Sequence, residues 1–166
     1  GKYGFIDKSG KYVLEPQFDY TGDFSEGLAK VEKDGKYGFI DKSGKVVIEL
    51  QFDGAEPFNV GFARVEKDGK YGFIDKSGKV VIELQYDYVG DFSEGLARVK
   101  KEDKFSFIDK SGKVVFELSK YDYVNVGDFS EGLAQVRKDY KSGFIDKSGK
   151  VVIEPQFDTV FDFSEG

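Results

Sequence analysis

Carboxylates recur in small groups along this chain of 166 residues. Asp19, Asp23 and Glu26 fall close together, and the set returns as Asp87, Asp91, Glu94 and as Asp122, Asp128, Glu131. Three carboxylates so near one another could bind a cation or divide the roles of general acid and general base. A second acidic series, Asp7, Asp41, Asp75, Asp109 and Asp146, is followed each time by Lys-Ser-Gly. That loop could hold a cation or a phosphate. A calcium loop, however, needs roughly six to eight oxygens, and D-K-S-G brings no further carboxylate. Asp at the head of a turn accepts backbone N–H bonds from the turn itself, and Ser and Gly suit the same geometry. The DKSG aspartates are therefore read as turn formers. Repetition also argues against catalysis, because an enzyme seldom needs several copies of one centre. The second copy of the first series breaks the set with Ala55, Glu56, Asn59 and Val60. Its carboxylates are read as solvated interaction loops, with Glu26 and its equivalents helping to cap a turn.

Composition narrows the chemistry further. There is no His and no Cys, which excludes a His-based triad, thiol catalysis and the usual zinc sites. No phosphate-binding glycine motif in a strand-to-helix setting is present. The chain is read as a non-enzyme, with no catalytic residue, no cofactor and no metal site. A net charge of −6, from 25 basic and 31 acidic residues, argues against a nucleic-acid partner, whose phosphates demand a basic surface. No apolar run approaches the roughly 18 residues of a membrane span, so no membrane insertion is expected. Seventeen Phe, 10 Tyr and 21 Gly favour strands and tight turns over helices. The chain does not begin with Met, which is read as the mark of a processed, excised or engineered segment.

The elements that carry these carboxylates are repeated. GKYGFIDKSGK stands at residues 1–11, 35–45 and 69–79, and weaker copies read DKFSFIDKSGK at 103–113 and YKSGFIDKSGK at 140–150. The units begin 34, 34, 34 and 37 residues apart, a period that signals stacked repeats. They make one repeat domain over 1–166, divided as 1–34, 35–68, 69–102, 103–139 and an incomplete 140–166. The extra residues of the fourth unit, in ELSKYDYVNVGDF, are expected in a loop.

Each unit predicts three short strands, in the second unit at 28–31, 36–40 and 46–50, followed by a loop, QFDGAEPFNVG. Both turns, EKDG and DKSG, end in Gly and predict type I turns closed by a left-handed Gly. Asp103 tolerates that place in the fourth unit, whereas Tyr140 in the fifth predicts a different turn. Counting across the turns puts Ala29, Val31, Tyr37, Phe39 and Val47 on one face, and Leu28, Gly38, Ile40, Val46 and Ile48 on the other. Both faces are apolar, so each small sheet must be covered on both sides. The simplest cover is the neighbouring unit, because a lone meander of about 34 residues is marginal and a stack is stable. Gly4, Gly38, Gly72 and Gly143 leave a dent that an aromatic of an adjacent unit, such as Tyr37 or Phe52, would fill. The aromatic series Tyr3, Tyr37, Tyr71, Phe105 and Phe18, Phe52, Tyr86, Tyr121, Phe157 is read as repeat packing rather than as an exposed ladder.

The motif G-K-Y-G-F-I-D-K-S-G-K-V-V-I-E, followed by Q-F/Y-D and F-S-E-G-L-A-x-V, resembles the WG or KWG repeat family. Tyr3-Gly4, Tyr37-Gly38 and Tyr71-Gly72 stand at the family's Trp-Gly pair, with Tyr in place of Trp. The fourth unit departs with Phe105-Ser106, and the fifth keeps Gly143 beside Ser142. The resemblance covers the whole chain. It implies a bacterial-type tandem β-repeat with no shared activity or cofactor. The residues do not fix the compartment, and a bacterial cell-surface or extracellular setting is favoured over the cytoplasm.

Small sheets stacked face to face make an open superhelical β-solenoid or a five-bladed propeller-like ring. Only four LAxV-type strands, at 28–31, 62–65 (Phe-Ala-Arg-Val), 96–99 and 133–136, accompany the five hairpins, and a ring would need a fifth. The reading is thus an all-β open stack with the ring as its alternative. Its function is a non-catalytic structural scaffold offering an extended surface to protein partners, itself included, by end-to-end assembly. The alternative is a multivalent module for peptides or glycans.

Overall fold

The computed structural model describes residues 1–118 and 125–159, and no helix occurs among them. The chain divides into two compact units, 1–85 and 86–166. The first opens with a two-stranded sheet, β1 (Tyr3–Ile6) and β2 (Tyr12–Phe18). Next comes a four-stranded sheet of β3 (Tyr20–Ser25), β4 (Leu28–Lys33), β5 (Lys36–Asp41) and β6 (Val46–Phe52). A third follows with β7 (Gly54–Ala55), β8 (Phe62–Lys67), β9 (Lys70–Asp75) and β10 (Val80–Tyr86). The second unit holds two more four-stranded sheets. One has β11 (Tyr88–Val89), β12 (Leu96–Lys101), β13 (Lys104–Asp109) and β14 (Val114–Glu117). The other has β15 (Asn125–Ser130), β16 (Leu133–Lys138), β17 (Lys141–Asp146) and β18 (Val151–Phe157). All are antiparallel meanders with strands in chain order.

The repeat is therefore a tandem β-unit, but of four strands rather than three. The segment expected to be a loop supplies an edge strand, paired as Thr21↔Val31, Ala55↔Val65, Val89↔Val99 and Val126↔Val136. β7 stops at Ala55, as β11 stops at Val89, and one further N–H in each, Glu56 N to Arg64 O and Gly90 N to Arg98 O, still bonds across. Of the lengthened segment in the fourth repeat, residues 119–124 lie outside the described residues.

The turns explain the register, which differs from the sequence reading. DKSG does form the expected turn: Gly44 N donates to Asp41 O at 2.9 Å, Asp41 N donates to Lys45 O at 2.9 Å, and Gly44 has φ 84°. EKDG does not. Asp34 and Gly35 both have positive φ, 53° and 74°, and Lys33 pairs with Lys36. That is a two-residue type I′ turn, whose twist suits the flanking strands. The pairing becomes Val31↔Gly38, Lys30↔Phe39 and Ala29↔Ile40. A one-residue change of register exchanges faces, so Phe39 shares its face with Leu28 and Ile48, while Ala29, Val31 and Ile40 share the other. Val47 belongs to neither core. It is the extra residue between the pairs Ile40↔Val46 and Phe39↔Ile48, and it stands exposed.

Both faces of the sheet of β3 to β6 are covered by neighbouring sheets, as apolar faces require. Ala29, Val31 and Ile40 cluster with Phe18 of β2, and Leu28, Phe39, Ile48 and Phe52 cluster with Phe58, Ala63, Val65 and Ile74 of the next sheet. In the second unit Leu96 and Phe107 meet Val126, Phe129, Ala134 and Val136 in the same way.

Tyr140 does not change its turn, contrary to the expectation. It occupies the left-handed place of Gly35 with φ 64°, next to Asp139 at 48°, and is 85% exposed. A left-handed non-Gly residue costs about 1–2 kcal/mol. Tyr140→Gly removes that strain, offset by the roughly 0.5–1 kcal/mol a Gly adds to unfolded-chain freedom. Stability is expected to rise by on the order of 0.5–1 kcal/mol, read as a higher urea midpoint, and an unchanged or lower midpoint would contradict the strain.

Candidate interaction surface: latching turns and aromatic clamps

The Ser-Glu-Gly turns close one sheet onto the next. Glu26 and Gly27 form a two-residue turn between β3 and β4 with φ 50° and 92°. From that left-handed position the Glu26 carboxylate accepts the Gly61 N–H at 3.1 Å and meets Lys76 Nζ at 2.9 Å, both on the following sheet. Lys76 Nζ also donates to the Glu26 carbonyl at 3.1 Å, and Ser25 Oγ donates to the Phe58 carbonyl at 2.6 Å. The second unit repeats the device. Glu94 accepts from Gly132 N at 3.0 Å and meets Lys147 Nζ at 2.9 Å, and Ser93 Oγ donates to the Phe129 carbonyl at 2.6 Å. Ser25, Ser93, Lys76 and Lys147 were not singled out by the sequence reading. The signal was their place in the repeat, Ser always before Glu-Gly and Lys always after the DKSG aspartate.

The other predicted loop carboxylates take different roles. Asp19 Oδ2 accepts the N–H of Asp34 at 3.0 Å, and Asp87 Oδ2 that of Glu102 at 2.9 Å, each holding the first residue of a type I′ turn. Lys2 Nζ also pairs with Asp19 at 2.5 Å, and Asp53 copies the arrangement with Asp68 N and Lys36. Asp23 and Asp128 lie exposed on edge strands, Glu131 on a turn and Asp91 in the segment after β11. Asp122 falls outside the described residues. Among the described residues no three carboxylates are grouped as metal ligands. Each DKSG aspartate is occupied in its own turn: Asp41 Oδ1 accepts from Ser43 N, Ser43 Oγ and Lys45 N at 2.8, 2.6 and 3.1 Å.

These contacts fix a pH dependence. Glu26 and Glu94 titrate below the ordinary carboxylate range because the ammonium of Lys76 or Lys147 donates to them, helped by the next turn's N–H and opposed by partial burial. The DKSG aspartates are lowered mainly by the Ser hydroxyl. A carboxylate depressed on folding contributes stability above its unfolded pKa and loses it as pH falls through the folded value. Stability is thus expected to be level near neutrality and to fall from the ordinary carboxylate range downward. The double variant Glu26→Gln, Glu94→Gln should lower the neutral-pH urea midpoint and flatten part of the acid fall. An acid limb of unchanged steepness would contradict the latch.

At the Tyr-Gly pairs the two partners separate. Gly38 faces the backbone of its own sheet: a Cβ there would lie 2.5 Å from the Ile48 carbonyl oxygen. Gly4, Gly72 and Gly143 meet Leu14, Ile82 and Ile153 carbonyls in the same way. The dent is therefore filled by the adjoining strand's main chain and not by an aromatic of the next unit. Phe18, Phe52 and Tyr86 are buried, while Tyr3 and Phe157 are exposed and Tyr121 lies outside the described residues. Tyr37, Tyr71 and Phe105 are half-buried. Two of them flank a cation. Lys30 Nζ sits 5.6 Å from the Tyr20 ring and 5.5 Å from that of Tyr37. Arg98 sits 5.3 Å from the Tyr88 ring and 5.9 Å from that of Phe105. The sheet of β15 to β18 rewrites this clamp: Gln135 replaces the cation, Ser142 the ring, and Gln135 Nε2 donates to Ser142 Oγ at 3.2 Å.

A family model described as the WG containing repeat matches residues 3–37, 37–71, 71–105, 105–141 and 143–166. No curated protein matches the sequence. The fold is similar to that of BamB from Moraxella catarrhalis, with TM-score 0.50 and 11% identity, over 86% of this chain and 54% of that one. It is also similar to the extracellular domain of a protein described as a hybrid two component system from B. thetaiotaomicron. There the TM-score is 0.47 and the identity 14%, over 81% of this chain and 22% of that one. The likeness is one of fold alone, and the chain spans about half of the first structure and about a fifth of the second.

Proposed function

This chain belongs to the WG repeat family, and from that membership we propose that it is a non-catalytic scaffold whose stacked β-units offer an extended surface to protein partners. The observation that carries the reading is the use made of the repeated polar groups. Ser25, Glu26 and Lys76, and again Ser93, Glu94 and Lys147, are engaged in joining consecutive sheets. A carboxylate held by an ammonium and a backbone N–H keeps its charge and its position, which suits a fastener and handicaps a proton-transfer group. The reading extends to self-association. Serine-glutamate-glycine turns and DKSG turns recur along the chain, so a latch on one copy has the partners it needs on another. Light scattering over a wide concentration range should show mass rising with concentration. A strictly monomeric particle throughout would overturn the self-association.

A further inference from the structure

The clamp that holds Lys30 and Arg98 is incomplete in the sheet of β7 to β10. Register identifies the equivalents: Gly54 faces Glu66 as Tyr20 faces Glu32 and Tyr88 faces Lys100, and Arg64 faces Phe73 as Lys30 faces Phe39. Gly54 thus stands where the other two sheets place the outer tyrosine, while Tyr71 keeps the inner place of Tyr37. Over Arg64 the missing ring leaves an open cavity of about 190 Å³, lined by Gly54, Ala55, Glu56, Arg64, Glu66 and Tyr71 among others. An engineered cavity of about 150 Å³ admits a benzene ring, so the volume suits one aromatic side chain.

We infer that this cavity is a binding site for a tyrosine side chain presented by a partner polypeptide, its ring stacked on Arg64 in the position that Tyr20 and Tyr88 fill from within. Two features select the phenol. The face of an aromatic ring attracts a guanidinium, and the sibling clamp shows such a ring 5.3 Å from Arg98. In that sibling, Arg98 Nη2 also donates to the Tyr88 hydroxyl at 3.2 Å, a bond that Phe cannot accept. The carboxylates of Glu56, 3.6 Å from Arg64, and Glu66 rim the cavity and repel acidic ligands. Tyr20 and Tyr88 are themselves about 40% exposed, so a ring in this place is reached from solvent. The inference deepens the scaffold reading by naming the partner's contact residue, and it is tested apart from self-association.

The test is titration of the full chain with p-cresol and with N-acetyltyrosinamide, followed by amide chemical shifts. Saturable shifts centred on Gly54, Ala55, Arg64 and Tyr71 are expected, with toluene at least several-fold weaker. Gly54→Tyr fills the cavity from within. A Cβ at Gly54 meets only the Glu66 side chain, at 3.1–3.3 Å, so the variant should keep its fold and lose binding at least tenfold. Absence of shifts in the folded wild type overturns the site, as does binding that survives Gly54→Tyr. Saturable shifts at the same residues with methyl β-glucoside but none with p-cresol would also overturn it, in favour of a glycan. Loss of concentration-dependent growth in light scattering would leave these titrations unaffected.

Discussion

Phe39→Ala is expected to destabilise the chain by about 3–5 kcal/mol, the range for truncating a fully buried Phe. Phe39 has no exposed surface and turns toward the next sheet, where its ring meets that of Phe58 edge-on at 4.8 Å and 64°. The pair is the centre of a cluster that joins Leu28, Ile48 and Phe52 to Ala63, Val65 and Ile74. Removal of the ring leaves a cavity between two sheets whose backbones are held apart by their other contacts, so the void cannot close. The same pair recurs as Phe107 with Phe129 at 5.0 Å and as Phe5 with Phe24 at 5.1 Å. The second Phe of the pair lies within the edge strand in β3 and β15 and three residues after it in β7, which is why DFSEG carries a Phe. Chemical denaturation should show the loss, and a double-mutant cycle with Phe58→Ala should return a coupling of about 0.5–1.5 kcal/mol. A loss below about 1 kcal/mol would mean that the sheets do not rely on this ring.

Much of this arrangement was legible in the residues. Apolar positions on both sides of LAKV, YGFI and VVIEL demand cover on two faces, and near-identical units supply it. Asp41 at the head of DKSG is a local matter, and local chemistry could be read. What stayed hidden has three causes. EKDG and DKSG both end in Gly, yet only the left-handed φ of Asp34 tells a two-residue turn from a longer one. That single difference moved Phe39 and Ala29 to opposite faces. The edge strand Tyr20–Ser25 reads Y-T-G-D-F-S, with Gly and Asp in its middle and no alternation, so pairing with β4 and not propensity makes it a strand. Glu26 and Lys76 are 50 residues apart, and no spacing rule joins groups whose meeting depends on how sheets stack. Gly54 was visible as a departure from the repeat, but its meaning needed the register that places Tyr20 and Tyr88 over a cation.

Gly38→Ala is expected to cost about 3 kcal/mol, at the upper end for overpacking, because the obstacle is main chain. Its Cβ would lie 2.5 Å from the Ile48 carbonyl oxygen and 2.9 Å from Glu49 C and Leu50 N. Flexible side-chain ends could move aside, but these atoms belong to a strand fixed at both ends. Tyr37 pairs with Phe52 and Phe39 with Ile48, so β6 spends two more residues than β5 over this stretch. The surplus bends β6 inward over Gly38 and lets Phe52 reach the buried cluster. The fourth repeat supplies the control. Ser106 stands in the Gly place, and there the pairing runs evenly as Ser106↔Glu117 and Phe107↔Phe116, with Leu118 N bonded to Phe105 O at 2.9 Å. A side chain at that position and a bulge in the partner strand thus exclude each other. The fifth repeat restores Gly143 and with it the surplus between Ser142↔Phe157 and Phe144↔Ile153. Ser106→Ala should accordingly change stability by less than about 1 kcal/mol, while Gly38→Ala unfolds at a clearly lower urea concentration. Equal effects of the two substitutions would refute the bulge as the reason for the glycine.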